Sequence, residues 1–295
     1  MLLTKVNITP LKEKLTYKSN LLIIGSCFAN EIGEILSNYG FNISVNPFGT
    51  LYNPASIVQS LKRLASGTCF SEKDIIDISQ HTTKAENTDE CTAKYCSFYH
   101  HSSFALSTPD SFLSSVNARL NEEAERFAQA DTIIITLGTS WVFRHMERNF
   151  IVSNCHKINP KEFCREFLPL EDTVSLLSSF IKEHTDKRFI FTVSPIRHLK
   201  DGAHGNQISK ATLLLAVEQL QQQFPENTYY FPAYEIVLDE LRDYRYYAED
   251  MLHPSGLAVK YIFEYFKGNC ICSSEYQRMQ EEFKHYRQTA HRTLL

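Results

Sequence analysis

Leu21-Leu22-Ile23-Ile24-Gly25-Ser26-Cys27-Phe28-Ala29 is the stretch that decides the fold. Four consecutive apolar residues with no polar alternate read as a strand buried on both faces, the pattern of a parallel sheet. Gly25 permits a sharp exit from that strand, and Ser26 stands where a helix N-cap would. Ala29, Ile32, Ile35, Leu36 and Tyr39 then recur at helical spacing until Gly40 supplies a stop. The unit repeats at once. Residues 41–45 alternate like a strand, Asn46-Pro47-Phe48-Gly49 makes a turn, and 54–64 have helical character.

The same grammar returns further along. Helical stripes are predicted at 112–130, 173–184, 209–224 and 255–267, and apolar strands at 132–138, 189–194 and 229–231. Strands that are pure apolar runs separated by helices imply an α/β fold, a three-layer α/β/α arrangement with a short, mostly parallel sheet. Residues 1–270 are expected to form one domain. The Ser-, Thr-, Cys- and His-rich stretch at 65–110 is read as an insertion, and 271–295 as a C-terminal helical tail that could join copies of the chain into a homo-oligomer.

Composition excludes several classes. With 295 residues, 43% of them hydrophobic, the chain can bury a real core, and its net charge of -4 argues against a nucleic-acid partner. Lys5, Lys12, Glu13 and Lys18 interrupt the first twenty residues, which is not the pattern of a secretory signal. No apolar window is long enough for a membrane span. A cytoplasmic setting with reduced thiols is therefore expected for the eight cysteines. Cys91 and Cys96, with His100 and His101, lack the paired second half of a zinc site, and His156 beside Cys155 has no further ligand at close spacing, so no metal is expected. Gly25 is followed by no glycine until Gly33, and there is no Gly-x-Ser-x-Gly elbow. No cofactor is expected.

In parallel sheets the residues just past the strand ends gather at one edge. Here these are Gly25-Ser26-Cys27, Asn46 to Gly49, Gly138-Thr139-Ser140-Trp141 and Ser194-Pro195-Ile196-Arg197-His198. A hydroxyl or thiol at 26 or 27 would sit at a helix N-terminus, where free amides and the dipole favour a thiolate or an oxyanion. Asp250-Met251-Leu252-His253 spaces a carboxylate three residues before an imidazole, so Asp250 can hold Nδ1 and leave Nε2 for a nucleophile. Arg197, His198 and Arg245, with the flat faces of Trp141 and Tyr52, suggest an anionic or sugar-like ligand.

Taken together, these motifs resemble the GSCFA domain family, a bacterial group placed in the SGNH (GDSL-like) hydrolase superfamily. Gly25-Ser26-Cys27-Phe28-Ala29 spells the family's name. Asn46-Pro47-Phe48-Gly49 with Tyr52-Asn53-Pro54, Thr136-Leu137-Gly138-Thr139, Asn154-Cys155-His156-Lys157, Ser194 to His198, and the run from Tyr234 to Asp250 look similar to it, a likeness over residues 20 to 267. The resemblance implies an SGNH-hydrolase-like fold and hydrolysis, or acyl transfer, at an ester-type bond of a small acylated molecule or glycan. By position Cys27 takes the nucleophile's place and by chemistry Ser26 does, with His253 as base and Asp250 as its orienting partner. Gly49, Asn46 and Ser140 are the implied oxyanion donors, with Ser140 standing where the superfamily keeps an asparagine. Gly138, Thr139, Trp141, Asn154, His156, Arg197, His198 and Arg245 are the implied substrate contacts. A non-catalytic carbohydrate- or metabolite-binding module that retains the cleft is the alternative.

Overall fold

A computed structural model describes residues 4–79 and 94–293. The chain opens with β1 (Leu21–Gly25), α1 (Cys27–Asn38), β2 (Ile43–Val45) and α2 (Pro54–Ser66), followed by β3 (Ile75–Asp77), β4 (Tyr95–Ser97) and α3 (Pro109–Gln129). Next come β5 (Thr132–Leu137), then β6 (Trp141–His145), β7 (Phe150–Val152) and β8 (Phe163–Phe167). The second half holds α4 (Leu170–Glu183), β9 (Arg188–Val193), α5 (Gly202–Gln223), β10 (Thr228–Tyr230), the single turn α6 (Ala233–Glu235), α7 (Gly256–Cys270) and α8 (Tyr276–Thr293).

Five strands form a parallel sheet in the order β10-β9-β5-β1-β2. Successive side chains of a strand point to opposite faces, and here both faces are dry. Leu22 and Ile24 of β1, Ile133 and Ile135 of β5, and Phe189 and Phe191 of β9 pack with α2, α3, α4 and α5. Leu21, Ile23, Ile134 and Ile190, the alternate positions, pack with α1 and α7. Three layers result, as the uninterrupted apolar runs predict. Each fully buried Leu, Ile or Phe contributes about 1.5–3 kcal/mol relative to exposure, which is why the sheet interior sets the register.

Element ends follow local chemistry. Asn53 caps α2, its Oδ1 accepting from the Ser56 amide at 2.8 Å, with Pro54 in the first turn. Thr108 and Ser111 form a capping box ahead of α3, again with proline at the start. Ser26 occupies the cap position of α1 with extended backbone, yet its side chain makes no capping bond.

Two segments add to the sequence reading. Residues 141–167 contain a second sheet, antiparallel in the order β7-β6-β8, in a stretch to which the sequence pattern assigned no element. The stretch at 65–110 is described only in part, and Cys91 lies outside the described residues. Its visible pieces join the main body: Phe70, Ile76, Ile78, Cys96 and Phe98 are buried in the same core as the sheet. The helix at 276–293 lies on the body through buried Met279, with Phe283 against Tyr39 and Arg278 over Tyr17. Among the described residues no helix is long and apolar enough to cross a membrane, and no group of three or more His, Cys, Asp or Glu could hold a metal ion.

Candidate active site

A cleft of about 500 Å³ opens beyond the carboxyl ends of β1, β5 and β9. α1 leaves β1 toward one face of the sheet, whereas α2 and α3 carry the chain over the other face to β5. The cleft therefore sits at the reversal of strand order, where open α/β sheets place their ligands. Cys27, Tyr52, Asn53, Thr139, Trp141, Asn154, Arg165, Arg197, His198, Lys200 and His253 are among its lining residues. A cavity of about 520 Å³ at the opposite edge, between Leu11, Lys12, Asp186, Arg188 and Tyr229, lies far from the strand ends that carry the motifs.

The turn into α1 is built around Gly25, whose φ of +145° disfavours side chains. A Cβ there would lie 2.2 Å from the Thr136 carbonyl oxygen of the neighbouring strand. Its amide donates to Asn46 Oδ1 at 2.8 Å, which ties the end of β1 to the end of β2. Of the two nucleophile candidates, only Cys27 lines the cleft. Ser26 has no exposed surface, and its Oγ is buried without a partner. Cys27 Sγ lies 3.4 Å from the Tyr52 hydroxyl, and burial, followed by this contact, pushes the Tyr52 phenol up to about 12. The neutral phenol can thus serve as a donor to sulfur.

His253 enters from the turn before α7. Asp250 Oδ1 accepts the amides of Leu252 at 2.9 Å and His253 at 3.0 Å, and its Oδ2 lies 2.5 Å from His253 Nδ1. Those amides first, and then the imidazole, hold the Asp250 carboxyl down to about 2. A carboxylate only accepts, so Nδ1 carries the proton and Nε2 is the basic nitrogen offered to the cleft. Met251 takes a left-handed conformation, φ 59°, to close the turn. The Arg197 amide donates to the Leu252 carbonyl at 3.2 Å and docks the turn against the loop after β9.

The three expected oxyanion donors are engaged elsewhere. The Gly49 amide donates to the Asn46 carbonyl at 2.8 Å inside their own turn, and a Cβ on Gly49 would collide with His101 at 2.3 Å. Asn46 is buried, its Oδ1 on Gly25 and its Nδ2 on Asn30 Oδ1 at 2.6 Å. Ser140 is fully buried and turned into α5, with its amide on Ser209 Oγ at 2.7 Å and its Oγ on the Ser209 carbonyl at 3.3 Å. Gly49 closes its own turn, whereas Asn46 and Ser140 tie strand ends to neighbouring elements, and in each case the donor is consumed.

Other expected contacts divide similarly. Thr139, Trp141, Asn154, Arg197 and His198 line the cleft. Gly138 lies behind it, where a Cβ would come 2.8 Å from the Tyr52 carbonyl oxygen. His156 is buried and donates from Nε2 to the Ser97 carbonyl at 2.8 Å, and burial holds its imidazole down to about 4. Arg245 is exposed and pairs with Asp243 at 2.7 Å, away from the cleft. Arg165 and Lys210 were missed by the motif reading, and Asn53, which lies in the Tyr52-Asn53-Pro54 motif, was given no role. Asn53 spends Oδ1 on its cap, leaving Nδ2 as the group able to serve the cleft. Arg165 grips Asp201 with both nitrogens and stacks over Trp141 and Phe143. Lys210 is buried and donates to the Gly138 and Ser194 carbonyls, both at 2.7 Å, bridging the ends of β5 and β9. The signal for Asn53 was its place in the Tyr52-Asn53-Pro54 motif; a lysine in mid-helix gave none.

A family model, that of the GSCFA family, matches residues 20–266. Among solved structures, a Streptococcus pneumonia protein provisionally called a platelet activating factor is similar over 85% of this chain and 83% of its own, at 10% identity and a TM-score of 0.40. That likeness is too distant to carry an argument. The curated proteins hold no match.

Proposed function

The chain belongs to the GSCFA family, and from that premise we propose that it is an SGNH-type hydrolase acting on an ester-type bond of a small acylated molecule or glycan, with Cys27 as nucleophile. The observation that carries the reading is the shared cleft: Cys27 and His253 both line it, and Asp250 holds the imidazole by Nδ1 at 2.5 Å. In the proposed cycle His253 Nε2 takes the thiol proton as sulfur attacks the carbonyl carbon. The tetrahedral intermediate collapses, the leaving alcohol or thiol takes that proton from His253, and an acyl-cysteine thioester remains. Water, deprotonated by the same nitrogen, then attacks the thioester; the acid leaves and the thiol is restored. Asp250 keeps the tautomer throughout. The developing oxyanion is met by the opening amides of α1, which no side chain caps, and by Asn53 Nδ2.

The test is a panel of short-chain aryl esters and thioesters. Cys27→Ala is expected to lose at least about a thousandfold in kcat, and Ser26→Ala to stay within about tenfold of the parent. Full activity in Cys27→Ala would overturn the assignment. A second reading, a binding module that retains the cleft, draws on the engagement of Gly49, Asn46 and Ser140. It predicts no turnover on any member of the panel.

A further inference from the structure

The charge of the cleft is one-sided. Arg165, Arg197 and Lys200 line it, and among the described residues no aspartate or glutamate does. Arg165 is neutralised by its two-pronged grip on Asp201. The other two cations have no carboxylate within ion-pair distance among the described residues. Arg197 has only a long 3.5 Å contact to the Tyr247 hydroxyl and stacks over that ring, and the Lys200 ammonium rests 4.4 Å from the Phe143 ring centre. The whole chain nevertheless has a net charge of -4. An acidic protein that concentrates unpaired cations in one apolar-walled cleft is built to attract and retain an anion there.

We infer that the substrate carries, besides its acyl bond, an anionic group, a carboxylate or phosphate, held in this cleft by Arg197 and Lys200. The inference rests on the hydrolase reading and names its substrate class. The planar fork of Arg197 suits two oxygens of such a group. Its backbone amide is bonded to Leu252, next to the base, so the anion would be seated beside the turn that carries His253. Lys200, at the exposed rim, would add attraction that salt screens.

Matched ester pairs test this. The carboxylate arm compares 4-acetoxybenzoate with its neutral methyl ester, and mono-4-nitrophenyl glutarate with 4-nitrophenyl valerate. The phosphate arm compares 4-acetoxyphenyl phosphate with phenyl acetate. At low salt at least one anion is expected to exceed its neutral twin by about tenfold or more in kcat/KM. That ratio should fall toward one in the Arg197→Gln/Lys200→Gln double variant, and in the parent at about 0.5 M salt. The salt series on the parent stands even if the double variant misfolds. Binding of glutarate and of phenyl phosphate, followed by calorimetry, gives a readout independent of turnover. Equal rates for every pair, with no binding that depends on Arg197 and Lys200, overturn the inference and leave the hydrolase reading intact. Anion binding that depends on both residues, without cleavage of any ester, supports the anion site and overturns the hydrolase reading.

Discussion

Ser26 and Cys27 are neighbours in the chain and opposites in environment. A one-residue step at a helix start turns the side chain by about 100°, so only one of the two can face the cleft. The sequence allowed either; burial decides for the thiol as the cleft-facing group. The Asp250 carboxylate is surface-exposed and makes its bonds within its own turn, so Asp250→Asn should fold normally. Its kcat is expected to drop about a hundredfold to ten-thousandfold, because an amide can present its NH₂ to Nδ1 and stabilise the wrong tautomer. Steady-state rates alongside a melting curve separate the two effects. Asn53→Asp keeps the cap oxygen of α2 and removes the amide donor. A loss of about a hundredfold in kcat at unchanged melting temperature is expected, and an unchanged kcat would remove Asn53 from the oxyanion role.

At the scale of elements, the strand-to-helix turn after β1 is tightly constrained. Gly25→Ala sets a Cβ against the Thr136 carbonyl at a backbone angle few side chains adopt, and should cost roughly 2–4 kcal/mol in denaturant unfolding. The centre of the principal sheet was legible because β1, β5 and β9 hold unbroken apolar runs: Leu21–Ile24, Ile133–Ile135 and Phe189–Phe191 announce burial on both faces. The β6-β7-β8 sheet was not, because its strands are short and half-exposed, and Arg144, Arg165 and Glu166 dilute the alternation. The site was legible in the same uneven way. Asp250 and His253 lie three residues apart and their bond follows from spacing, whereas the commitments of Gly49, Asn46 and Ser140 depend on partners in other elements. No local pattern encodes those.

Across the whole molecule, buried histidines set the response to acid. Burial holds His100 down to about 3 and His156 and His198 down to about 4. An unfolded imidazole titrates near 6.5, so between that value and 4 the unfolded chain binds more protons than the native one, and stability falls as pH falls. Each of the three contributes roughly 2–3 kcal/mol to that loss by pH 4. The urea midpoint should therefore decline steeply from pH 6.5 to 4, and a flat profile would contradict the buried neutral imidazoles. Asp250, held near 2, stays ionised across the whole window.

The long separation in sequence between Cys27 and His253 has a consequence for biosynthesis. β1 cannot be completed on one side until β5 exists, and the turn bearing His253 docks by the Arg197 amide, after β9. At ordinary translation rates, Cys27 is made on the order of ten seconds to a minute before its partner imidazole. Through that interval the nascent chain carries a thiol with no base beside it and no finished cleft around it. Under the proposed roles, the polypeptide becomes chemically competent only when the turn bearing His253 and the helix that follows it, α7, have been synthesised, so a product interrupted before them is inert rather than an unregulated esterase.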